Sequence, residues 1–338
     1  MPRPRLTPAM ADVRRAIREL WDKAGVTEGD VIAVALSGGA DSLALTAASI
    51  FEANKAGIKI AVITVNHNLQ DGSEAVANKA KKQAEDLGAF ISEVISVSVP
   101  KNSLGMEASA RNERYKALDL FALKHNAKYT MLGHTLDDQA ETVLLGLARG
   151  SGAKSIAGMS AISSDSKYLR PLLTIRREQT VAFCLDSGLE FWSDPQNQDE
   201  KFSRVKVRNS VLPLLEQELG PGIALALART AELLQEDISY MEAEAKTSFA
   251  EVAKTTANSV ILDCKKLGGL PKALGSRVIH QGLVLLGTEP SKASIDAVYE
   301  LVTNWHGQKP LTLPSVRVER RNNEITLKSN KTLKPGAC

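Results

Sequence analysis

The chain has 338 residues, 43% hydrophobic and 24% charged, which is enough apolar surface for one large α/β domain and a smaller companion. A net charge of +3 permits a nucleic-acid partner without demanding one, and three scattered cysteines, Cys184, Cys264 and Cys338, exclude a disulfide framework and cysteine-based metal ligation. No apolar stretch approaches the length of a membrane span, and Met1–Leu20 carries five arginines without the apolar core of a signal peptide, so the expected setting is cytoplasmic, with no membrane.

Residues 1–29 read as an N-terminal extension or helix. Val31–Leu36 is an apolar, β-branched run expected to form a buried parallel strand, and a helical pattern begins at Leu43. Strands are then expected over Ile58–Val65, Ile91–Val97 and Lys128–Leu132, alternating with helices over Ser73–Leu87, Met106–Lys124 and Leu136–Leu147. Repeated βα units of this length imply a doubly wound parallel sheet, with ligands outside the carboxyl ends of its strands. Residues 150–166 read as a loop and 176–188 as a helix. A helical linker, 213–257, follows, interrupted at Pro221-Gly222. Strands Ser259–Asp263, Gln308–Leu313 and Glu324–Leu327, with helices Lys272–Leu286 and Lys292–Thr303, make a smaller α+β domain. The division is therefore 1–29, 30–212, 213–257, 258–327 and a polar tail, 328–338.

Chemistry concentrates in Ser37-Gly38-Gly39-Ala40-Asp41-Ser42, between the first strand and its helix. A tight turn into a helix N-terminus gathers backbone N–H groups and partial positive charge around one point, so an anion is expected there. The adjacent glycines permit positive φ and close approach of the backbone, and Ser37 and Ser42 add hydroxyls. Asp41 is placed to hold Mg²⁺ on a phosphate. No lysine follows the glycines, which separates the segment from the Gly-x4-Gly-Lys-Ser/Thr loop. It resembles the loop of the N-type ATP pyrophosphatases, in which a substrate oxygen attacks the α-phosphate of ATP and pyrophosphate leaves.

A second constellation, Gly133-His134-Thr135-Leu136-Asp137-Asp138-Gln139-Ala140-Glu141-Thr142, lies where a strand gives way to a helix. Asp138 and Glu141 share a helix face, and Asp137 and Glu141 are spaced to do likewise. Such acids suit Mg²⁺ binding, proton acceptance from an amine, or simple capping of the helix. Arg111 and Arg114, three apart on one helix, suit either charge stabilisation or surface pairing with Glu107 or Glu113. Lys201, Arg204, Lys206 and Arg208 form a basic run suited to RNA phosphates or to a solvated face. His67 fits a packed position as well as a substrate contact.

Together the two constellations resemble the tRNA(Ile)-lysidine synthetases. Further segments agree: Val65-Asn66-His67-Asn68-Leu69, Glu107-x3-Arg111-x2-Arg114-Tyr115, Leu147-Ala148-Arg149-Gly150-Ser151-Gly152, Gly158-Met159, Arg170-Pro171-Leu172-Leu173 and Asp194-Pro195-Gln196-Asn197-Gln198-Asp199. Asn66, Asn68, Gln196 and Val205 depart from the family pattern. The resemblance implies adenylation of C2 of the wobble cytidine of a CAU-anticodon tRNA(Ile), followed by attack of free lysine with loss of AMP. On that resemblance Ser37, Gly38, Gly39, Ala40, Asp41 and Ser42 bind ATP, and Asp41 binds Mg²⁺. Asp41, His134, Asp138, Glu141, Arg111 and Arg114 carry the chemistry, and Asp137, Arg149, Arg204, Lys206 and Arg208 hold substrate. The smaller domain would grip the tRNA body, and a homodimer is left open. Competing readings are an ammonia-fed ligase on the same fold and a non-catalytic nucleotide- or RNA-binding relative. A cluster-bearing tRNA thiolase would need paired cysteines, which this sequence lacks.

Overall fold

The computed structural model describes residues 6–67, 72–98, 106–150, 152–193 and 201–330. Cα packing divides the chain into two units, Met1–Gln235 and Glu236–Cys338.

The first unit is built on five parallel strands, β1 (Val31–Ala35), β2 (Lys59–Asn66), β3 (Ile91–Ser96), β4 (Tyr129–Met131) and β5 (Tyr168–Leu169), in the order β3-β2-β1-β4-β5. β1 is central and buried, as its uninterrupted Val-Ile-Ala-Val-Ala run requires. The order reverses between β1 and β4, and the loops after these two strands therefore meet at one crevice. Helices α1 (Pro8–Ala24), α2 (Ala40–Ala56), α3 (Ser73–Asp86), α4 (Met106–Lys124) and α5 (Leu136–Ala148) pack around the sheet with α6 (Ala153–Ile156) and α7 (Arg177–Asp186). α1 begins at an N-cap, Thr7, and lays Val13, Ile17, Leu20 and Trp21 into the core beside α2. α8 (Ser203–Lys206), a π-turn (Val207–Val211), α9 (Leu212–Glu218) and the 30-residue α10 (Ile223–Val252) follow, and the unit boundary falls inside α10.

The second unit holds an antiparallel sheet, ordered β6 (Ala253–Thr255), β7 (Ser259–Asp263), β10 (Glu324–Ser329), β9 (Val316–Arg321) and β8 (Leu311–Leu313). α11 (Cys264–Gly268), α12 (Lys272–Leu285) and α13 (Lys292–Thr303) complete it. Val260, Leu262, Val316, Val318, Ile325 and Leu327 point to one face and meet Val278, Ile279, Leu283 and Val298. Arg320 donates to the carbonyls of Leu301 and Val302, which caps the end of α13.

The doubly wound sheet and the α+β unit stand as expected, with local differences that include a fifth parallel strand, β5, beside β4. β9 escapes a hydropathy reading because Arg317, Glu319, Arg320 and Arg321 hide the alternation of Val316 and Val318. The strand expected over Gln308–Leu313 shortens to Leu311–Leu313, because Pro310 offers no N–H to the ladder. Within the expected loop 150–166 there is one turn of helix, α6. β6 follows α10 directly and pairs with β7, so the helical run ends in the second sheet.

Candidate active site

α2 starts at Ala40, so Ala40, Asp41 and Ser42 form its first turn, with Gly39 as N-cap. Gly38 adopts φ +88°, the left-handed region, but Gly39 is extended at φ −74°; the turn therefore needs positive φ at one glycine, not two. The Ser37 N–H donates to Ser42 Oγ at 3.1 Å, and Ser42 Oγ donates to the Gly39 carbonyl at 3.0 Å, closing the loop on itself. Among the described residues the N–H groups of Gly38 and Gly39 meet no protein acceptor. The N–H groups of the first helical turn are likewise left over by helix geometry. A phosphate fits this set of donors. Gly133, at the end of β4, is the other side of the crevice. A Cβ there would lie 3.1 Å from Ser42 Cα and N, so only glycine lets this strand end approach the loop so closely.

Asp138 and Glu141 do share a face of α5. Asp138 Oδ2 accepts from the Thr135 N–H at 2.8 Å and from Thr135 Oγ1 at 3.0 Å, the reciprocal half of a capping box. Its Oδ1 accepts from Arg177 Nη2 at 2.9 Å and Arg208 Nη2 at 3.1 Å. Capping and site chemistry thus use different oxygens of one carboxylate. Glu141 is wholly buried and accepts from Arg208 Nε at 2.6 Å and Nη2 at 3.1 Å, with Arg177 Nη1 at 3.5 Å and Arg204 Nε at 3.7 Å. Asp137 faces elsewhere, accepting from the Arg177 N–H at 2.7 Å and pairing with Arg176 at 3.1 Å.

Arg177 is the residue that sequence reasoning missed. Its Nε reaches Asp41 Oδ2 at 3.4 Å while its Nη atoms hold Asp138 and Glu141, so one guanidinium joins the phosphate loop to the acidic helix. One turn on, Thr180 donates to Asp41 Oδ1. A signal was present. Arg176-Arg177 begins a helix, where the macrodipole disfavours cations, and a broken local rule of this kind marks function. Burial raises the pKa of Asp41 above the usual carboxylate range, against the pull of Arg177 and Thr180. Burial also opposes ionisation of Asp138, yet Arg177, the Thr135 N–H, His134 and Arg208 together hold its pKa low.

Beside these acids lies a half made of cations and imidazoles. Burial drives the His134 pKa down to about 3; Asp138 resists this, and Arg114, Arg170 and Arg111 add to it. Burial likewise lowers His67, with Arg114 adding to the effect. His134 Nδ1, His67 Nδ1 and Arg170 Nε are buried without a hydrogen-bond partner among the described residues. Arg111 leans on Tyr115, 5.1 Å above its ring, and Glu113 pairs instead with Lys116. The alternative of an Arg111–Glu113 surface pair is therefore not met among the described residues, and the side chain of Glu107 lies outside them.

The basic run does not form one open face. Arg204 and Arg208 turn inward to Glu141, while Lys201 and Lys206 are exposed. Arg149 is exposed at the C-cap of α5, about 12–18 Å along the helix from its acids by a rise of ~1.5 Å per residue. Asn68, Leu69, Ser151 and Asp194–Asp199 lie outside the described residues. The segment leading to Asp194 crosses the phosphate loop, where the Trp192 N–H donates to the Gly38 carbonyl at 2.9 Å. Asp41 is the one loop carboxylate, and among the described residues no cluster of side chains forms a protein-only metal site. That composition fits Mg²⁺ carried mainly by phosphate and water, for which Asp41 is the one loop side chain that could serve as a protein ligand.

Comparison with known proteins assigns the lineage. A PP-loop domain family matches residues 10–215, and a TilS substrate-binding domain family matches 262–326. The tRNA(Ile)-lysidine synthase of Leifsonia xyli subsp. xyli is 48% identical over 302 residues, covering 88% of this chain and 90% of that protein. The enzyme of the same name from Rhodococcus opacus is 45% identical over 327 residues, covering 95% and 96%. The chain belongs to the tRNA(Ile)-lysidine synthase family. A solved U34-tRNA thiolase, NcsA from Methanococcus maripaludis, superposes with a TM-score of 0.57 at 20% identity, covering 67% of this chain and 80% of that one. That likeness extends to the fold alone.

Proposed function

We propose that the chain ligates free lysine to C2 of the wobble cytidine, position 34, of CAU-anticodon tRNA(Ile), using ATP. The observation that carries this reading is Arg177, which brings the phosphate loop at Asp41 and the acid pair Asp138 and Glu141 into one site. The family match supports the substrate.

In the first step the C2 oxygen attacks the α-phosphorus; the new P–O bond forms as the α–β bridge breaks, and pyrophosphate leaves on the donors of residues 37–42. Mg²⁺ on Asp41 supplies charge neutralisation to the leaving phosphates when bound. Arg111 and Arg114, which pair with no carboxylate among the described residues, and neutral His134 beside Asp138 suit an anionic adenylate or a polar base edge. In the second step an amine of lysine attacks C2, the C–O bond breaks, and AMP departs. The amine's proton passes to the carboxylate pair Asp138 and Glu141, which Arg177 and Arg208 hold in place. Lys206 and Arg149, both exposed, suit tRNA phosphates, and the second unit, matched to a substrate-binding domain, suits the tRNA body. We place the enzyme in the cytoplasm; among the described residues no single helix is long and apolar enough to cross a membrane.

Asp41→Ala tests the reading. Pyrophosphate release should vanish while tRNA affinity is retained. Equal loss of tRNA binding would refute the role given to Asp41.

A further inference from the structure

Three successive peptide planes of the phosphate loop each have a donor on their carbonyl. Ser42 Oγ donates to the Gly39 carbonyl at 3.0 Å and Cys184 Sγ to the Ala40 carbonyl at 3.5 Å, and the Gly39 carbonyl also serves the Leu43 N–H of α2. Gly38 precedes the helix, and among the described residues the Trp192 N–H, at 2.9 Å, is the donor to its carbonyl. This peptide is planar and trans, so its C=O and N–H point in opposite directions. A Gly38 carbonyl held by Trp192 therefore aims the Gly39 N–H to the other side of the plane, where it meets no protein acceptor among the described residues. We propose that the backbone amide of Trp192 is a positioning group for the reaction: it locks the Gly38–Gly39 peptide with its N–H toward the leaving pyrophosphate. The inference rests on the ATP use in the ligase reading above and is independent of the choice of amine.

This peptide needs a lock more than its neighbours do. Turning the plane over changes only the ψ of Gly38 and the φ of Gly39, and with no Cβ on either residue both orientations are open to the chain. The turned plane would present a carbonyl oxygen, and not an N–H, to the phosphate. Trp192 is itself fixed from two sides. Leu189 and Phe191 pack against the core of the parallel sheet, and the Leu189 N–H donates to the Cys184 carbonyl at 2.9 Å, which ties the segment to the end of α7. Between them Glu190 turns to α3, where its carbonyl accepts from Gln83 Nε2 at 2.7 Å and its carboxylate from Lys79 Nζ at 2.8 Å. The same stretch begins with Arg177 and Thr180 on Asp41, so residues 177–192 back the loop from Asp41 through Ala40 to Gly38.

The test measures binding of pyrophosphate and of AMP to the full chain by calorimetry, with circular dichroism to confirm folding. Trp192→Pro and Trp192→Ala lack the same indole, and only the proline variant also lacks the N–H. The proline variant should bind pyrophosphate at least about tenfold more weakly than the alanine variant, with their AMP affinities within about threefold of each other. Gly39 sits at φ −74° and would move to positive φ in the turned plane, which alanine resists. A Cβ there would meet Ser37 Oγ at 3.7 Å and the Trp192 carbonyl oxygen at 3.9 Å, both ordinary contacts. Adding Gly39→Ala to Trp192→Pro should therefore recover at least about threefold of the pyrophosphate affinity. Equal pyrophosphate affinities of the two Trp192 variants, equal losses of pyrophosphate and AMP, or no recovery with Gly39→Ala would overturn the lock. If Trp192→Pro fails to fold, Gln83→Leu, which frees the Glu190 carbonyl, decides: it should weaken pyrophosphate by about threefold and spare AMP, and a wild-type pyrophosphate affinity would overturn the proposal. Wild-type protein that binds neither pyrophosphate nor ATP would refute the ATP reading itself, a result distinct from failure of the lock.

Discussion

Glu141→Gln separates the two half-reactions, and its cost follows from the contacts. Glu141 is wholly buried, and its two oxygens serve Arg208, Arg177 and Arg204. Breaking a buried ion pair costs about 3–5 kcal/mol. Here the released guanidiniums are partly solvated, with Arg208 25% and Arg204 36% exposed, and glutamine keeps one acceptor oxygen. The expected loss is therefore about 2 kcal/mol. For a unit of this size it lowers Tm by about 4–8 °C. Chemistry should suffer more selectively. Lysine transfer loses its proton acceptor and should fall by roughly 10²–10⁴-fold. Adenylation uses Asp41 and the loop donors, so single-turnover pyrophosphate release should stay within a few-fold of wild type. The assay follows pyrophosphate and labelled lysine in the same reaction. If both fall together while the protein remains folded, Glu141 does not act in the second step.

Three other outcomes follow. Gly133→Ala places a methyl 3.1 Å from the Ser42 backbone. It should cost about 1–3 kcal/mol and weaken ATP binding with tRNA affinity intact, and equilibrium titration of both ligands checks this. For His134 the folded pKa, about 3, lies below the unfolded value of ~6.5. Above pH 6.5 the imidazole is neutral in both states and adds no pH dependence. Between pH 6.5 and 3 only the unfolded chain takes the proton, so stability falls with acid. Denaturant midpoints at pH 7.5, 6 and 5 should therefore decline less in His134→Gln than in wild type, and parallel declines would contradict the buried neutral imidazole. Lys206→Ala and Arg149→Ala should each reduce the salt dependence of tRNA binding by about one phosphate contact, and an unchanged slope would remove both residues from the interface.

Much of the site was legible where chemistry and local structure coincide. The Ser37–Ser42 loop announces itself because a buried strand, two glycines and a helix start fall within a dozen residues. The Asp138 and Glu141 spacing alone puts both acids on one face. Arg204 and Arg208 were harder to read, since a basic run looks alike whether it faces RNA or turns into an acid cluster brought in from more than 60 residues away. Arg177 was hidden for the same reason: its partners Asp41 and Asp138 come from the first turns of α2 and α5, and only the strand order brings those helix starts together. Among the strands, β9 was lost because charged residues crowd its solvent face and its two buried valines.

The most direct test of the central claim is incorporation of labelled lysine into purified tRNA with ATP and Mg²⁺, comparing isoleucine tRNA bearing CAU with methionine tRNA bearing the same anticodon. The account predicts label in the isoleucine tRNA alone, with pyrophosphate and AMP released in step with it. Label in neither, from folded protein that still binds ATP and tRNA, would contradict it.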